Sequence, residues 1–85
     1  MYLHVGNNKT IRKKNIIGIF DFDNATFSQI TRRYLTRTQQ AGLIEVANDE
    51  LPKSFILYFS DADGFYKVCF SQISTAALKF RLIEV

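Results

Sequence analysis

One stretch of the sequence has residue types and spacing that could support catalysis. Asp21 and Asp23 follow the short apolar run at 16–20, and Thr26 comes three residues later. Two carboxylates at the end of a strand could act as a nucleophile and a general acid on a phosphate ester. The same side chains could instead accept hydrogen bonds from the first N–H groups of a helix.

The D-x-D-x-x-T pattern at 21–26 resembles the first motif of the haloacid-dehalogenase-type phosphatases, in which the first Asp is the nucleophile and the second is the general acid. Those enzymes need a doubly wound sheet, a later lysine and a further acidic pair for magnesium. A chain of 85 residues cannot hold that sheet, and the strands predicted before the motif have the wrong topology. We therefore expect Asp21 and Asp23 to cap a helix, and we predict no catalytic residue and no enzyme activity.

The other reactive side chains do not form a site either. His4 is the only histidine, which excludes a histidine-based metal cluster and a Ser-His-Asp triad within one chain. Residues 61–64 have the acidic residues of a calcium loop, but Lys67 and Cys69 stand at later ligand positions, where an amine and a thiol are unsuitable. We therefore predict a hairpin turn at 61–64, no metal site, no cofactor and no small-molecule substrate.

A strand followed by a basic helix organises the predicted fold. The run at 16–20 has the length of a strand, and from Phe27 onwards apolar residues recur at helical spacing. Gly42 is suited to the left-handed residue that ends the helix. The apolar face predicted to meet the core comprises Phe27, Ile30, Tyr34, Thr38 and Ala41.

The remaining elements predict an α+β fold with a small mixed sheet, one main crossover helix and a short C-terminal helix at 75–82. Strand 43–46 is expected to run parallel to the strand at 16–20 through a right-handed crossover. The unbroken apolar run at 54–60 is expected in the middle of the sheet, covered on both faces. The other predicted strands are 2–5, 9–12 and 65–70, and residues 1–85 are predicted to form one domain.

Composition indicates a globular, cytoplasmic protein that associates with itself. The chain is 47% apolar, and no apolar run approaches the roughly 20 residues that a membrane span requires. A lone Cys69 and the lack of a signal-peptide core favour a reducing compartment, with Cys69 as a small buried hydrophobe. Eight phenylalanines, four tyrosines and the apolar end at 82–85 predict a homo-oligomer larger than a dimer and cyclic.

The net charge of +3 is small, but the basic residues are separated from the acidic ones. Residues 1–14 and 24–44 contain no Asp or Glu and together carry seven of the eleven Lys and Arg side chains. Such segregation favours a polyanionic partner, although a solvated basic surface would give the same pattern. Arg37 is expected to border the apolar helix face and to stabilise it through its buried stem. The seven basic residues are Lys9, Arg12, Lys13, Lys14, Arg32, Arg33 and Arg37.

Almost the whole chain also resembles a known family. The similar segments, in order, are 1–6, 16–21, 30–32, 53–57 and 71–79. In these segments the chain resembles the small bacterial extracellular-matrix regulators of the RemA/RemB type. The two-aspartate turn and the sequence Lys53-Ser54-Phe55 are more similar to the RemB-like branch.

This resemblance implies a cytoplasmic, non-enzymatic regulator of biofilm genes, and for the RemA branch a ring of identical subunits that binds DNA. In that branch two arginines before the long apolar strand face DNA, whereas Leu51 and Pro52 stand at these positions here, followed by Lys53. The departure shifts the expected contacts with double-stranded DNA towards the basic blocks. The predicted DNA-binding residues are Arg12, Lys13, Lys14, Arg32, Arg33 and Lys53.

Two functional hypotheses therefore stand. In the first, a ring repeats the basic surface, and DNA bending contributes to sequence selectivity because no recognition helix is evident. In the second, the chain is an oligomeric protein-interaction module that does not bind DNA, and its basic faces only keep it in solution. Salt-dependent retention of DNA would distinguish the two.

Overall fold

Residues 1–47 and 50–83, which a computed structural model describes, form two β-sheets, three α-helices and one 3-10 turn. The α+β class and the C-terminal helix are therefore confirmed. Residues 84–85 of the apolar end, and 48–49 in the loop before the central strand, lie outside the described residues. The elements are β1 (Tyr2–Gly6), β2 (Lys9–Arg12), a 3-10 turn (Lys13–Asn15), β3 (Ile16–Asp21), α1 (Phe22–Ala25), α2 (Gln29–Gln40), β4 (Ile44–Val46), β5 (Ser54–Ser60), β6 (Phe65–Ser71) and α3 (Thr75–Ile83).

The four-stranded sheet is the middle layer of the molecule. Its strand order is β3-β5-β6-β4, with β4 parallel to β6 and the other neighbours antiparallel. The pairings make β4 run in the same direction as β3, as the sequence predicts, but β4 lies at the opposite edge. The β1–β2 hairpin forms a separate two-stranded sheet.

Strand β5 carries both hydrophobic cores because successive side chains of a strand point to opposite faces. Ile56 is fully buried in the core formed with the hairpin and α3, whereas Phe55 is buried in the core formed with α1 and α2. The central, doubly covered position predicted for 54–60 is confirmed. The hairpin-side core includes Leu3, Val5, Ile11, Cys69 and Leu78, and the helix-side core includes Leu35 and Val68.

Helix α2 begins and ends with recognisable capping groups. The Ser28 hydroxyl accepts a hydrogen bond of 3.4 Å from the Thr31 N–H and caps α2, which begins at Gln29, two residues after the Phe27 predicted from periodicity; Asp21 caps the separate helix α1 instead. Gly42 has a φ of 74°, and its N–H donates to the Gln39 carbonyl. The predicted left-handed glycine at the end of the helix is confirmed.

The apolar face predicted for the main helix is wrong at every position except Thr38. Leu35 and Thr38 are the buried residues of α2, whereas Phe27 and Ile30 are 82% and 80% exposed. Phe22 of α1 packs against the sheet in the space that these two side chains were expected to fill. A separate short helix therefore leaves only the later turns of α2 in contact with the core. Tyr34 and Ala41 of the predicted face are exposed as well.

Candidate nucleic-acid interface

The two aspartates of the catalytic hypothesis lie at the start of α1. The Asp21 carboxylate accepts a hydrogen bond of 3.4 Å from the Asn24 N–H, so the predicted capping role of Asp21 is confirmed. Asp23 is exposed in the first turn of α1, where a negative charge favours the helix dipole. In the described part of the chain, no three metal-ligating side chains come together.

The turn at 61–64 connects β5 to β6, as predicted, and its carboxylates have basic or amide partners. The Asp61 carboxylate accepts hydrogen bonds from Asn15 at 2.7 Å and from Arg12 at 3.3 Å. Asp63 accepts from Lys67 at 3.0 Å. The hydrogen bond from Asn15 is the main cause that lowers the pKa of Asp61. The hydrogen bond from Lys67 is the main cause that lowers the pKa of Asp63. The turn is therefore bound to the residues that precede β3.

The basic residues predicted at 12–14 lie on the hairpin side of the sheet and are partly neutralised. Arg12 forms an ion pair with Asp61, and the Lys13 amine donates a hydrogen bond of 3.0 Å to the Arg81 carbonyl. Lys14 is exposed, and its charge contributes to the lowered pKa of Asp61. This block is thus largely engaged in holding the hairpin, the turn and α3 together.

A polar network that we did not predict from the sequence joins the β1–β2 hairpin to β4, the edge strand opposite β3. Lys9 donates a hydrogen bond of 2.9 Å to Glu45, the Tyr58 hydroxyl donates to the other oxygen of that carboxylate, and Lys67 lies 3.5 Å away. Burial raises the pKa of Glu45, but the hydrogen bonds from Tyr58 and Lys9 outweigh it, and the pKa is lowered. Lys9 and Tyr58 lie 36 and 13 residues from Glu45 in sequence, so no local spacing pattern could predict this network.

The outer face of α2 is a basic surface without acidic residues. Its side chains are all exposed and lie opposite the buried Leu35 and Thr38. None of the ion pairs in the described part of the chain involves this helix. The residues that line one shallow groove along this face are Gln29, Arg32, Arg33, Thr36, Arg37 and Gln40.

The three arginines of this face have different environments. The Arg32 guanidinium donates hydrogen bonds to the carbonyls of Thr26 at 2.6 Å and Phe27 at 3.0 Å, and it therefore closes the turn between α1 and α2. The side chains of Arg33 and Arg37 have no hydrogen-bond or ionic partner among residues 1–47 and 50–83. Arg37 lies beside Arg33 in the groove and not against the core, so the stabilising role predicted for its stem is wrong.

Lys53 lies beside the start of α1 and far from the block at 12–14. Its carbonyl accepts a hydrogen bond of 2.9 Å from the first residue of α1, and its side chain is exposed. Lys53 precedes β5, whereas Asp61, the partner of Arg12, follows it, and a strand of this length separates the two ends by about 25 Å. The six predicted residues therefore do not form one surface: Arg12, Lys13 and Lys14 lie on the hairpin side, whereas Arg32 contacts the turn after α1, Arg33 lies on the outer face of α2 and Lys53 lies beside the start of α1.

An apolar groove of about 240 Å³ runs between α2 and the edge strand β3. The Phe20 ring stacks on Phe55 with centroids 5.1 Å apart and forms its floor, and Tyr34 forms its helical wall. Ile30, one turn before Tyr34 on α2, and Ile17, in the bulge of β3, are exposed. From the sequence we expected most of these side chains in the core. Helical periodicity identifies an apolar face, but it does not show whether another element covers that face.

No protein-family model matches this chain, and a search of curated proteins finds no significant match. Within the described residues, no helix is both long and apolar enough to cross a bilayer.

Proposed function

We propose that this chain is a non-enzymatic, DNA-binding transcriptional regulator of extracellular-matrix genes that acts as a ring-like homo-oligomer in the cytoplasm. The outer face of α2 carries the proposal. Arg33 and Arg37 extend into solvent from a helix without acidic residues, and Lys53, exposed beside the start of α1, adds a further charge. The resemblance to the RemA/RemB-type regulators supplies the regulatory role, the target genes and the ring.

The charge arrangement favours a polyanion over a merely solvated surface. The basic side chains on the hairpin side are balanced by carboxylates in the same turn, as in the pairs of Arg12 with Asp61 and Lys67 with Asp63. The arginines of α2 have no such balance among the described residues. An unbalanced positive face attracts phosphates over the range of the Debye length, about 8–10 Å at physiological salt.

One copy of this face holds too few charges for tight binding, and this supports an assembly. Each neutralised phosphate contributes modestly, whereas linked copies of a weak site raise the affinity by orders of magnitude. Exposed apolar side chains on α2 and β3 favour burial against a second copy of the chain. We therefore place self-association at the groove beside β3; its exposed apolar lining residues are Phe20 and Tyr34, and Ile17 of β3 and Ile30 of α2 are exposed on the same two elements.

Retention of labelled genomic fragments at two salt concentrations tests DNA binding. We expect the wild type to bind at ~50 mM salt and to weaken steeply as salt rises, because phosphate contacts release counterions. Arg37→Ala and Lys53→Ala should each lower the slope of log K against log salt by roughly 0.9 per lost phosphate contact. Gln39→Ala, on the same helix outside the groove, is the control.

If the wild type retains no DNA at ~50 mM salt, where phosphate contacts are strongest, the protein-interaction alternative replaces this proposal. If it binds but both substitutions leave affinity and slope unchanged, the α2 face is not the DNA-binding surface.

Light scattering tests the assembly. At micromolar concentration we expect a mass several times the 9.8 kDa of one chain. Ile30→Glu should lower that mass because it places a charge in the apolar interface, whereas Gln39→Glu, on the other flank of α2, should not. A monomeric wild type would contradict the ring.

A further inference from the structure

The outer face of α2 carries side chains that can read bases in addition to those that bind phosphates. We infer that α2 enters the major groove of double-stranded DNA and that Gln29, Arg33 and Gln40 contact base edges there. This inference rests on the proposed DNA binding and deepens it. It adds recognition of the DNA base sequence to a surface whose positive charge alone would bind DNA of any sequence.

The dimensions of α2 suit the groove. Twelve residues give a helix of about 18 Å, and a helix of ~10–12 Å diameter with its side chains fits the ~12 Å width of the major groove. The helix contacts the core through Leu35 and Thr38, so its opposite side can enter the major groove of DNA.

The positions along α2 place the polar side chains in one row. Gln29, Arg33, Thr36 and Gln40 are separated by four, three and four residues, the spacing of a single helix face, and Arg37 lies beside that row. The row spans the helix from its first residue to its last. All of these side chains are exposed, and Ile30 and Tyr34 lie on the flank towards the apolar groove.

The residue types indicate base recognition. A glutamine carries no charge and adds nothing to the attraction of phosphates, but its amide donates and accepts at once and pairs with the N6 and N7 atoms of adenine. Arginine pairs in the same bidentate way with O6 and N7 of guanine. Glutamines at both ends of a cationic row are therefore poorly explained by phosphate binding alone. Among the described residues, the side chains of Gln29, Arg33 and Gln40 have no hydrogen-bond partner that would have to be broken.

Arg32 provides the internal contrast. Its guanidinium is held by the carbonyls of Thr26 and Phe27, at the edge of the row. It fixes the turn that leads into α2 and so positions the helix. We therefore assign Arg32 a positioning role and leave base contacts to the three side chains of the row.

Selection of binding sites from a pool of random double-stranded DNA tests the inference. We expect the wild type to enrich a motif, and single base-pair changes in it to weaken binding by roughly 5- to 150-fold at contacted positions. Gln40→Ala should remove this discrimination at one position and leave the salt dependence unchanged. Gln39→Ala, its neighbour outside the row, should keep both the motif and the discrimination. Circular dichroism establishes that each variant is folded.

The outcomes separate the two levels of the proposal. If the wild type retains no duplex even at ~50 mM salt, DNA binding itself fails, and the inference fails with it. If duplexes are retained with a salt-dependent affinity but no motif is enriched, or if Gln40→Ala and Gln39→Ala behave alike, α2 does not read bases and the proposed function stands without it.

Discussion

The Ser71 hydroxyl donates a hydrogen bond of 2.6 Å to the Val5 carbonyl, and this bond joins the hairpin to the centre of the sheet across 66 residues of sequence. Both residues are buried, and the same hydroxyl accepts a hydrogen bond of 3.0 Å from the Ile73 N–H at the start of the segment that leads to α3. One side chain thus connects the hairpin, the sheet and the C-terminal segment.

Ser71→Ala should lower the free energy of unfolding by about 1–3 kcal/mol, because it leaves a buried carbonyl without its partner. Urea unfolding at one fixed protein concentration measures the change, since association would otherwise alter the apparent stability. Thr36→Ala, on the exposed face of α2, is the control and should change stability by less than about 0.5 kcal/mol. Equal effects of the two substitutions would contradict the structural role of Ser71.

Stability should fall in acid partly through Glu45. The pKa of Glu45 is lowered below its ordinary value of 4.5 in the folded chain, because hydrogen bonds from Tyr58 and Lys9 outweigh its burial. A group with a depressed folded pKa contributes its full stabilisation above the unfolded value and loses it as the pH falls through the folded value. The free energy of unfolding should therefore decrease as the pH drops below about 4.5.

Glu45→Gln should be less stable than the wild type near pH 7 and should show a shallower loss of stability in acid. Urea unfolding at several pH values between 7 and 3 measures both effects. Asp61 and Asp63 also have lowered pKa values, so some acid dependence remains in the variant. Asp61→Asn serves as the control because it leaves the Glu45 network intact. Parallel curves for Glu45→Gln and the wild type would show that the network contributes nothing.

The sequence predicted the positions of the strands along the chain better than the helical layer, although β4 pairs with β6 and not with β3. Apolar runs such as 54–60 define a buried strand by themselves, and Gly42 defines the end of the main helix by its conformational freedom. Which side of α2 meets the sheet depends on α1, and a four-residue helix leaves no periodic signal. The apolar face was therefore assigned to Phe27 and Ile30, and Arg37 was placed at its edge.

Part of the candidate site was also accessible from the sequence. The absence of acidic residues over 24–44 identified Arg32 and Arg33 as members of a basic surface. Three-dimensional contacts were needed to see that Arg32 is held by backbone carbonyls, whereas Arg33 is exposed and has no such partner among the described residues. The link from Lys9 to Glu45 joins two separate sheets, and no local pattern reports such a contact.

Cys69 should be unreactive in the folded protein. It is fully buried, as the sequence predicted, and burial raises the pKa of its thiol to about 11. The thiolate is the nucleophile, so at pH 8 both the protonation state and the lack of access slow alkylation. Mass spectrometry should show negligible modification by iodoacetamide in buffer and complete modification in 6 M guanidinium chloride (roughly the concentration needed to unfold a stable domain). Rapid labelling of the native chain would show that the strand β6 opens or is misplaced.

Asp21 should act on the helix and not on a substrate. Its carboxylate caps α1 through the Asn24 N–H, and Asn caps a helix about as well as Asp does. Asp21→Asn should therefore keep the stability of the wild type, whereas Asp21→Ala should lose about 0.5–2 kcal/mol, towards the lower end because α1 has one turn. Urea unfolding measures the difference. In parallel, the wild type and both variants should release no phosphate from p-nitrophenyl phosphate with magnesium. A magnesium-dependent turnover that is present in the wild type and lost in Asp21→Asn would restore the catalytic hypothesis, since the amide retains the cap but cannot act as a nucleophile.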